Sequence, residues 1–191
     1  MSARSPWFLC VLLAAPVFAA APKKKKAPPP PPPPITEPTP KVTEELGETV
    51  LASVTGATKV QVFRVSDSGG LRPDPAKAIA SDFVRGAPGK ELDAQTLQTL
   101  KRLLYDDKSF RFDQDVSKCR FAPHLSFQMQ TGIGTLETLV SFSCNQVLFI
   151  LGKPGGRWVP QGTFDFKPSR KKFIDLAKAT LPQDADTQNL K

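Results

Sequence analysis

Alternation of apolar and polar residues over residues 118–151 constrains the fold more than any other feature of the chain. Residues 121–130 place their apolar members on one parity, which is the pattern of a half-buried strand. Residues 136–145 alternate again, and residues 147–151 are continuously apolar, as in a strand covered on both faces. Glycine-containing stretches separate the first two runs and end the third, and Asn145-Gln146 is a plausible turn between the second and the third. The pattern therefore predicts a three-stranded antiparallel meander that needs helices to cover its apolar face.

Flanking residues supply the remaining predicted elements. Asp93 is a good N-cap for a helix over residues 94–105, whose leucines form one apolar stripe. The other predicted elements are helices over residues 43–53 and 170–181, strands over 59–66 and 78–86, and an edge strand over 158–166. This order predicts a single α+β domain, mainly an antiparallel sheet with three helices packed on it.

The first residues have the composition of a secretory signal peptide, predicted over residues 1–21. Arg4 provides the positive charge, and small residues precede a cleavage site after Ala19, with Ala21 as the alternative. An uncharged membrane anchor over residues 5–21 is the competing interpretation. A lipid anchor on Cys10 is disfavoured, because bulky residues precede that cysteine where small ones are expected. We therefore expect export to the periplasm, the envelope or the extracellular space.

Residues 22–40 form a Lys/Pro-rich segment that we interpret as a disordered spacer. It contains seven consecutive prolines, residues 28–34, and proline both fixes φ and lacks the N–H that helices and sheets use. The competing interpretation is a ligand for a proline-binding protein. The α+β domain is then predicted over residues 41–182, followed by a polar tail over residues 183–191.

The net charge of +8 is concentrated at the N-terminus. Arg4 and four consecutive lysines hold five of the positive charges, so the rest of the chain has an ordinary surface charge and no nucleic-acid footprint. Two basic clusters are candidate contacts for an anionic envelope polymer. They consist of Lys23, Lys24, Lys25 and Lys26 in the spacer, and of Arg170, Lys171 and Lys172 in the last helix.

Cys119 and Cys144 remain after removal of the signal peptide, and an exported protein favours their pairing. A hairpin turning at residues 132–134 would place Cys144 opposite a residue near Pro123, with Cys119 roughly 13 Å further along a straight strand. A bend at Pro123 would be needed to bring the sulfurs together. A disulfide and two buried thiols both remain open at this point.

No catalytic, cofactor or metal motif stands out. Cys119, His124 and Cys144 match no standard zinc spacing. A secreted hydrolase using His124 is the alternative function, with serines 126, 141 or 143 and Asp165 as partners, but no G-x-S-x-G sequence is present. The leading hypothesis is a non-catalytic cell-envelope or secreted domain with a binding or structural role.

The central block resembles a family of uncharacterised exported or lipid-anchored bacterial proteins. The resemblance rests on a K-C-x-F-x-P sequence at residues 118–123 and on the L-V-S-F-S-C-N sequence at residues 139–145. The G-A-x-x-V-x-V sequence at residues 56–62 and the helix at residues 92–104 extend it, so that it covers residues 46–181. It implies no activity. Family members often carry a cysteine where Ser141 or Ser143 stands, so the resemblance argues against a shared metal site here.

Overall fold

An antiparallel sheet of seven strands, in the spatial order β2-β3-β1-β4-β5-β6-β7, forms the centre of the fold. The computed structural model describes residues 36–70, 72–80, 82–153 and 156–191, so the predicted signal peptide and most of the spacer lie outside the described residues. The strands are β1 (Val60–Asp67), β2 (Ala78–Ile79), β3 (Phe83–Glu91), β4 (Leu125–Thr131), β5 (Gly134–Ser141), β6 (Gln146–Lys153) and β7 (Arg157–Asp165). Strands β4, β5 and β6 are the predicted meander.

The helices in the described part of the chain are α1 (Pro40–Gly56), α2 (Ala94–Tyr105), α3 (Arg170–Thr180) and the short α4 (Ala185–Gln188). Thr39 and Asp93 cap α1 and α2 by accepting hydrogen bonds from main-chain N–H groups of the first turn. Gly47 interrupts α1 with a φ of 76°, a left-handed conformation that glycine adopts without strain. None of these helices has both the length and the apolar character that crossing a membrane requires.

The three longer helices pack on one side of the sheet, which we call the helix face. Its core includes Phe127, Phe149, Leu104 and Phe173, all fully or almost fully buried. Residues of β4 and β5 alternate as predicted, with one parity in this core, and β6 contributes Val147, Phe149 and Leu151 to it. The predicted class is confirmed: the chain is an α+β protein with an antiparallel sheet and three helices of normal length on it.

The opposite side of the sheet, which we call the second face, has a core of its own. Val65, Ile79, Leu139 and Ile150 form it and are at most 2% exposed. The Arg85 guanidinium of β3 lies 5.6 Å from the ring of Trp158 in β7. Five strand spacings would separate those residues by roughly 24 Å in a flat sheet. The sheet therefore curls strongly around the second face.

Two predicted boundaries are wrong. The single strand predicted over residues 78–86 is a hairpin of β2 and β3, with Ala80 at a φ of 56° in the turn. The first meander strand starts at Leu125 rather than at residue 121, because the chain there is diverted toward the disulfide described below. Alternating hydrophobicity reveals neither change of direction, and the second depends on a bond to the distant Cys144.

The residues predicted as a polar tail fold onto the domain, which is a further correction. Thr187 is buried in α4 and Leu190 packs against the main core. Asp184 lies 3.2 Å from the Nε of Arg64 in β1, and the main-chain oxygen of Lys191 accepts a hydrogen bond of 3.0 Å from Arg170. Ion pairs and one apolar side chain thus attach a segment that its composition alone marks as solvated.

Candidate functional site

A groove of about 1090 Å³ opens on the second face. Three aromatic side chains line it, Phe83, Phe121 and Trp158, and we call it the aromatic groove. It is larger than the clefts beside Arg64 and beside Lys172, which enclose about 460 and 290 Å³. Small-molecule and peptide sites are typically concave, apolar and lined by aromatic residues with a few polar groups. The aromatic groove shares the concave shape and the aromatic lining of such sites, and charged residues make up much of the rest of its lining.

Each aromatic residue is held by a different element. Phe83 begins β3 directly after the β2–β3 turn, and its ring meets the ring of Phe121 edge-on at 5.9 Å. Trp158, near the start of β7, lies flat on Gly152 of β6, where a Cβ atom would come within 2.7 Å of the indole ring. Gly152 is therefore required for the position of this indole.

A buried ion pair supports Trp158 from below. The Arg85 guanidinium lies 5.6 Å from the Trp158 ring and donates to Glu137 from Nε at 3.1 Å and from Nη2 at 2.5 Å. Glu137 is fully buried, and it also accepts hydrogen bonds from the Ser126 hydroxyl and, at 2.8 Å, from Gln128. Because its oxygens accept these hydrogen bonds, the Glu137 carboxylate holds the Arg85 guanidinium in one position. The guanidinium in turn packs against the indole ring of Trp158.

Sequence reasoning placed Glu137 and Ser126 on the solvated parity of the meander, and the structure shows both fully buried. The parity was assigned correctly, but the side chains on it are covered by the curled sheet. One sequence signal did point to this cover: the apolar run of β6 required burial on both faces, and Leu148 and Ile150 indeed pack on the second face.

Charged residues at the aromatic groove are balanced in sign. Arg72 and Arg120 line it together with Asp67 and Asp82. Arg120 donates to Asp67 at 3.1 Å. The pKa of Asp67 is lowered by a hydrogen bond from the N–H of Gly69 and then by Arg120, so the carboxylate stays charged at neutral pH. The groove thus offers aromatic surface with paired charges rather than a net field.

A disulfide joins Cys119 and Cys144, with 5.8 Å between their Cα atoms, which decides the alternative that the sequence left open. The β4–β5 register pairs Leu125 with Val140, so a straight continuation would place Cys144 opposite residue 121, closer to Cys119 than predicted. The chain is irregular from Cys119 to His124, around buried Pro123, and this irregularity closes the remaining gap. The bond uses both sulfurs, which are then not available as thiolate metal ligands.

The disulfide also explains how Phe121 reaches the aromatic groove. In a regular strand its parity would direct it to the helix face, where the sequence analysis placed it. In the structure it packs with the core of the second face, two residues from Cys119. The covalent bond therefore fixes one wall of the groove, and no local sequence pattern signals this role.

The predicted basic cluster of α3 is divided among different contacts. Arg170 donates to the main-chain oxygen of Phe142 at 2.6 Å and to the side chain of Asn145 at 2.7 Å. Lys171 pairs with Asp175 one turn later at 2.8 Å, and Lys172 lines the smallest of the three clefts. Arg170 is thus committed to the fold. Lys23 to Lys26 lie outside the described residues, and the anionic-partner role of both clusters stays a prediction.

His124 is half-buried, and the structure does not assemble a triad around it. Its ring meets the ring of Phe142 edge-on at 5.7 Å. The three serines and the aspartate proposed as its partners bond elsewhere. Ser126 bonds to Glu137, Ser141 to Ser143, and Asp165 to Arg111.

The environment of His124 gives a prediction about pH. Burial and then the charge of Arg64 lower its pKa, with a smaller contribution from Arg170, while Asp184 and Asp186 partly oppose this. The unfolded chain keeps the ordinary value of about 6.5, so the folded state disfavours protonation. The His124 contribution to stability is complete above that value and is lost as the pH falls through the lower folded pKa. Replacing His124 with glutamine should therefore flatten the dependence of the unfolding free energy on pH, as the pH falls from about 7.5 through the lowered pKa of the folded state.

Urea denaturation at several pH values measures this dependence. The same slope in the wild type and in His124→Gln would contradict the prediction. Asp67 and Asp184 titrate below the ordinary range of aspartate, because their pKa values are lowered.

Comparisons of the chain with models of known protein families, with curated proteins and with solved structures found no match.

Proposed function

We propose that this chain is an exported, non-catalytic binding domain that holds an extended polymer or peptide in the aromatic groove. The carrying observation is the convergence of Phe83, Phe121 and Trp158 on one groove of about 1090 Å³. Aromatic side chains present large rigid surfaces, and residues of this kind dominate the energetics of many binding sites. The Glu137–Arg85 pair and the disulfide hold two of these rings in place before any ligand arrives.

Export is supported by two observations of different kinds. The predicted signal peptide over residues 1–21 directs the chain out of the cytoplasm, and the predicted spacer over residues 22–40 separates the domain from its point of attachment or release. The disulfide is compatible with an oxidising compartment, where such bonds persist.

Tryptophan fluorescence tests the proposed site directly. The chain has two tryptophans, and Trp7 lies in the predicted signal peptide, so Trp158 is the single reporter in the processed protein. We expect at least one of three soluble probes, poly-L-proline, lipoteichoic acid or lipopolysaccharide, to change its emission saturably. The last two represent the anionic envelope polymer predicted as a partner. No saturable response to any of the three would contradict the proposal.

Phe121→Ala is expected to weaken that binding about tenfold or more, as loss of an aromatic anchor does. The matched control is Ile133→Ala, which removes an apolar side chain that is 49% exposed in the β4–β5 turn, away from the groove. His124→Ala should bind normally, which distinguishes this function from a hydrolase using His124. Equal affinities for the Phe121→Ala and Ile133→Ala variants would show that the groove is not the site.

A further inference from the structure

Main-chain pairing is hindered at both sheet edges beside the aromatic groove. Trp158 belongs to β7 at one end of the sheet, and Ala78 belongs to β2 at the other end, a strand of two residues. In β7, Pro160 has no N–H, and the Gln161 side chain donates to the main-chain oxygen of Val159 at 2.9 Å. Features of this kind protect an edge strand from pairing with another chain. They favour a ligand that side chains recognise over a peptide that adds a strand.

The lining of the groove presents hydrogen-bond donors and acceptors side by side. Arg72 and Arg120 are donors, and the carboxylates of Asp67 and Asp82 are acceptors. The Arg120 side chain is 88% exposed, and a guanidinium has five N–H groups, so Arg120 can bind a ligand while it keeps its bond to Asp67. A hydroxyl group both donates and accepts. A ligand that carries several hydroxyl groups therefore complements this lining.

The aromatic rings complement the other surface of such a ligand. A pyranose sugar has C–H groups on its faces and hydroxyl groups around its edge, so it packs flat on an aromatic ring while its hydroxyls reach polar groups beside the ring. Phe83, Phe121 and Trp158 supply rings that are partly buried. The formal charges of the two arginines and two aspartates cancel, which favours a ligand without net charge. At about 1090 Å³ the groove reaches the upper end of the range for drug-sized ligands, so it has room for more than one sugar unit.

We propose that the aromatic groove binds a neutral polysaccharide chain. Its pyranose rings stack on Trp158 and Phe121, and its hydroxyl groups bond to Asp67 and Arg120. This inference rests on the proposed function, because it names the class of ligand for the same groove. A lipopolysaccharide then binds the groove through its sugar chain rather than through its phosphates.

The test uses the processed protein and two lipopolysaccharides, one with a neutral O-polysaccharide chain and one that lacks the chain. We expect the first, and its O-polysaccharide released from the lipid by mild acid, to change Trp158 emission saturably, and the second to give no response. A roughly tenfold rise in salt concentration should change the affinity for the O-polysaccharide by less than about twofold, because neutral hydroxyl groups are not screened. A loss of about tenfold would show that charge dominates the binding and would overturn the inference. If the O-polysaccharide gives no saturable response while lipoteichoic acid or poly-L-proline does, this inference fails and the proposed binding function stands.

Arg120→Gln provides the second measurement. It should weaken binding of the O-polysaccharide about tenfold, because hydrogen bonds to charged groups are stronger than those between neutral groups. The matched control is Lys118→Gln, at a side chain that is 82% exposed and pairs with Asp115 rather than with a residue of the groove. Both replaced side chains are exposed, so far-UV circular dichroism should show the same fold for both variants. Equal affinities of the two variants would show that the polar lining does not bind the sugar hydroxyls and would overturn the inference.

Discussion

Replacing Glu137 with alanine is expected to lower the free energy of unfolding by about 3–5 kcal/mol, the usual cost of removing one partner from a buried ion pair. The side chain of Arg85 is only 11% exposed and would remain between Phe63 and Trp158 without its carboxylate. Ser126 and Gln128 would lose their acceptor at the same time. Urea denaturation followed by far-UV circular dichroism measures the loss.

Glu91→Ala is the matched control, because Glu91 is exposed at the end of β3 and its replacement should change stability by less than about 0.5 kcal/mol. A second variant that combines Arg85→Met with Glu137→Leu removes both charges. It should recover the part of the loss that comes from the unpaired guanidinium, since apolar residues often replace a buried pair at little cost. Ser126 and Gln128 still lack their acceptor in this variant. A Glu137→Ala variant as stable as Glu91→Ala would contradict the importance that we assign to this network.

The double replacement of Cys119 and Cys144 by serine is expected to destabilise the protein by about 3–4 kcal/mol, from the entropy that closing this loop removes from the unfolded chain. It should also release Arg120 and Phe121, which line the aromatic groove next to the bond. We therefore expect Trp158 emission and ligand affinity to change in this variant even where it remains folded.

Cys10 leaves with the predicted signal peptide, so Cys119 and Cys144 are the cysteines of the processed protein. Thiol titration in denaturant gives an independent check on protein recovered from an oxidising compartment. No thiol should react before reduction, because the disulfide uses both cysteines. Two reactive thiols, at Cys119 and Cys144, would show that the bond does not form and that the groove wall is held in another way.

The two variants act on different parts of the same groove. Glu137 holds the indole of Trp158 through Arg85, whereas the disulfide holds the segment that carries Phe121. A binding site needs such constraints because rings that are ordered beforehand lose less entropy when the ligand arrives. If either variant changes affinity by more than its effect on the folded fraction explains, the constraint contributes to binding itself.

Local pattern was sufficient for most of the secondary structure. The alternation over residues 121–151 determined the three-stranded meander, and Asp93 with the leucine stripe determined α2 at the predicted residues. Period and capping are properties of neighbouring residues, so one sequence contains the information. The helices on one face followed from the need to cover an apolar surface.

The tertiary structure alone decided the candidate site. Phe83, Phe121 and Trp158 are far apart in sequence and meet because the sheet curls around its second face. Because of that curl, polar side chains such as Glu137, whose position in the alternation suggests exposure to solvent, are buried. The curl also brings Glu137 within hydrogen-bonding distance of Arg85. Alternation specifies which residues share a face, but it does not specify what covers the face. In this protein, strands from the two ends of the same sheet meet over the second face. The disulfide between Cys119 and Cys144, 25 residues apart, holds Phe121 against the same face.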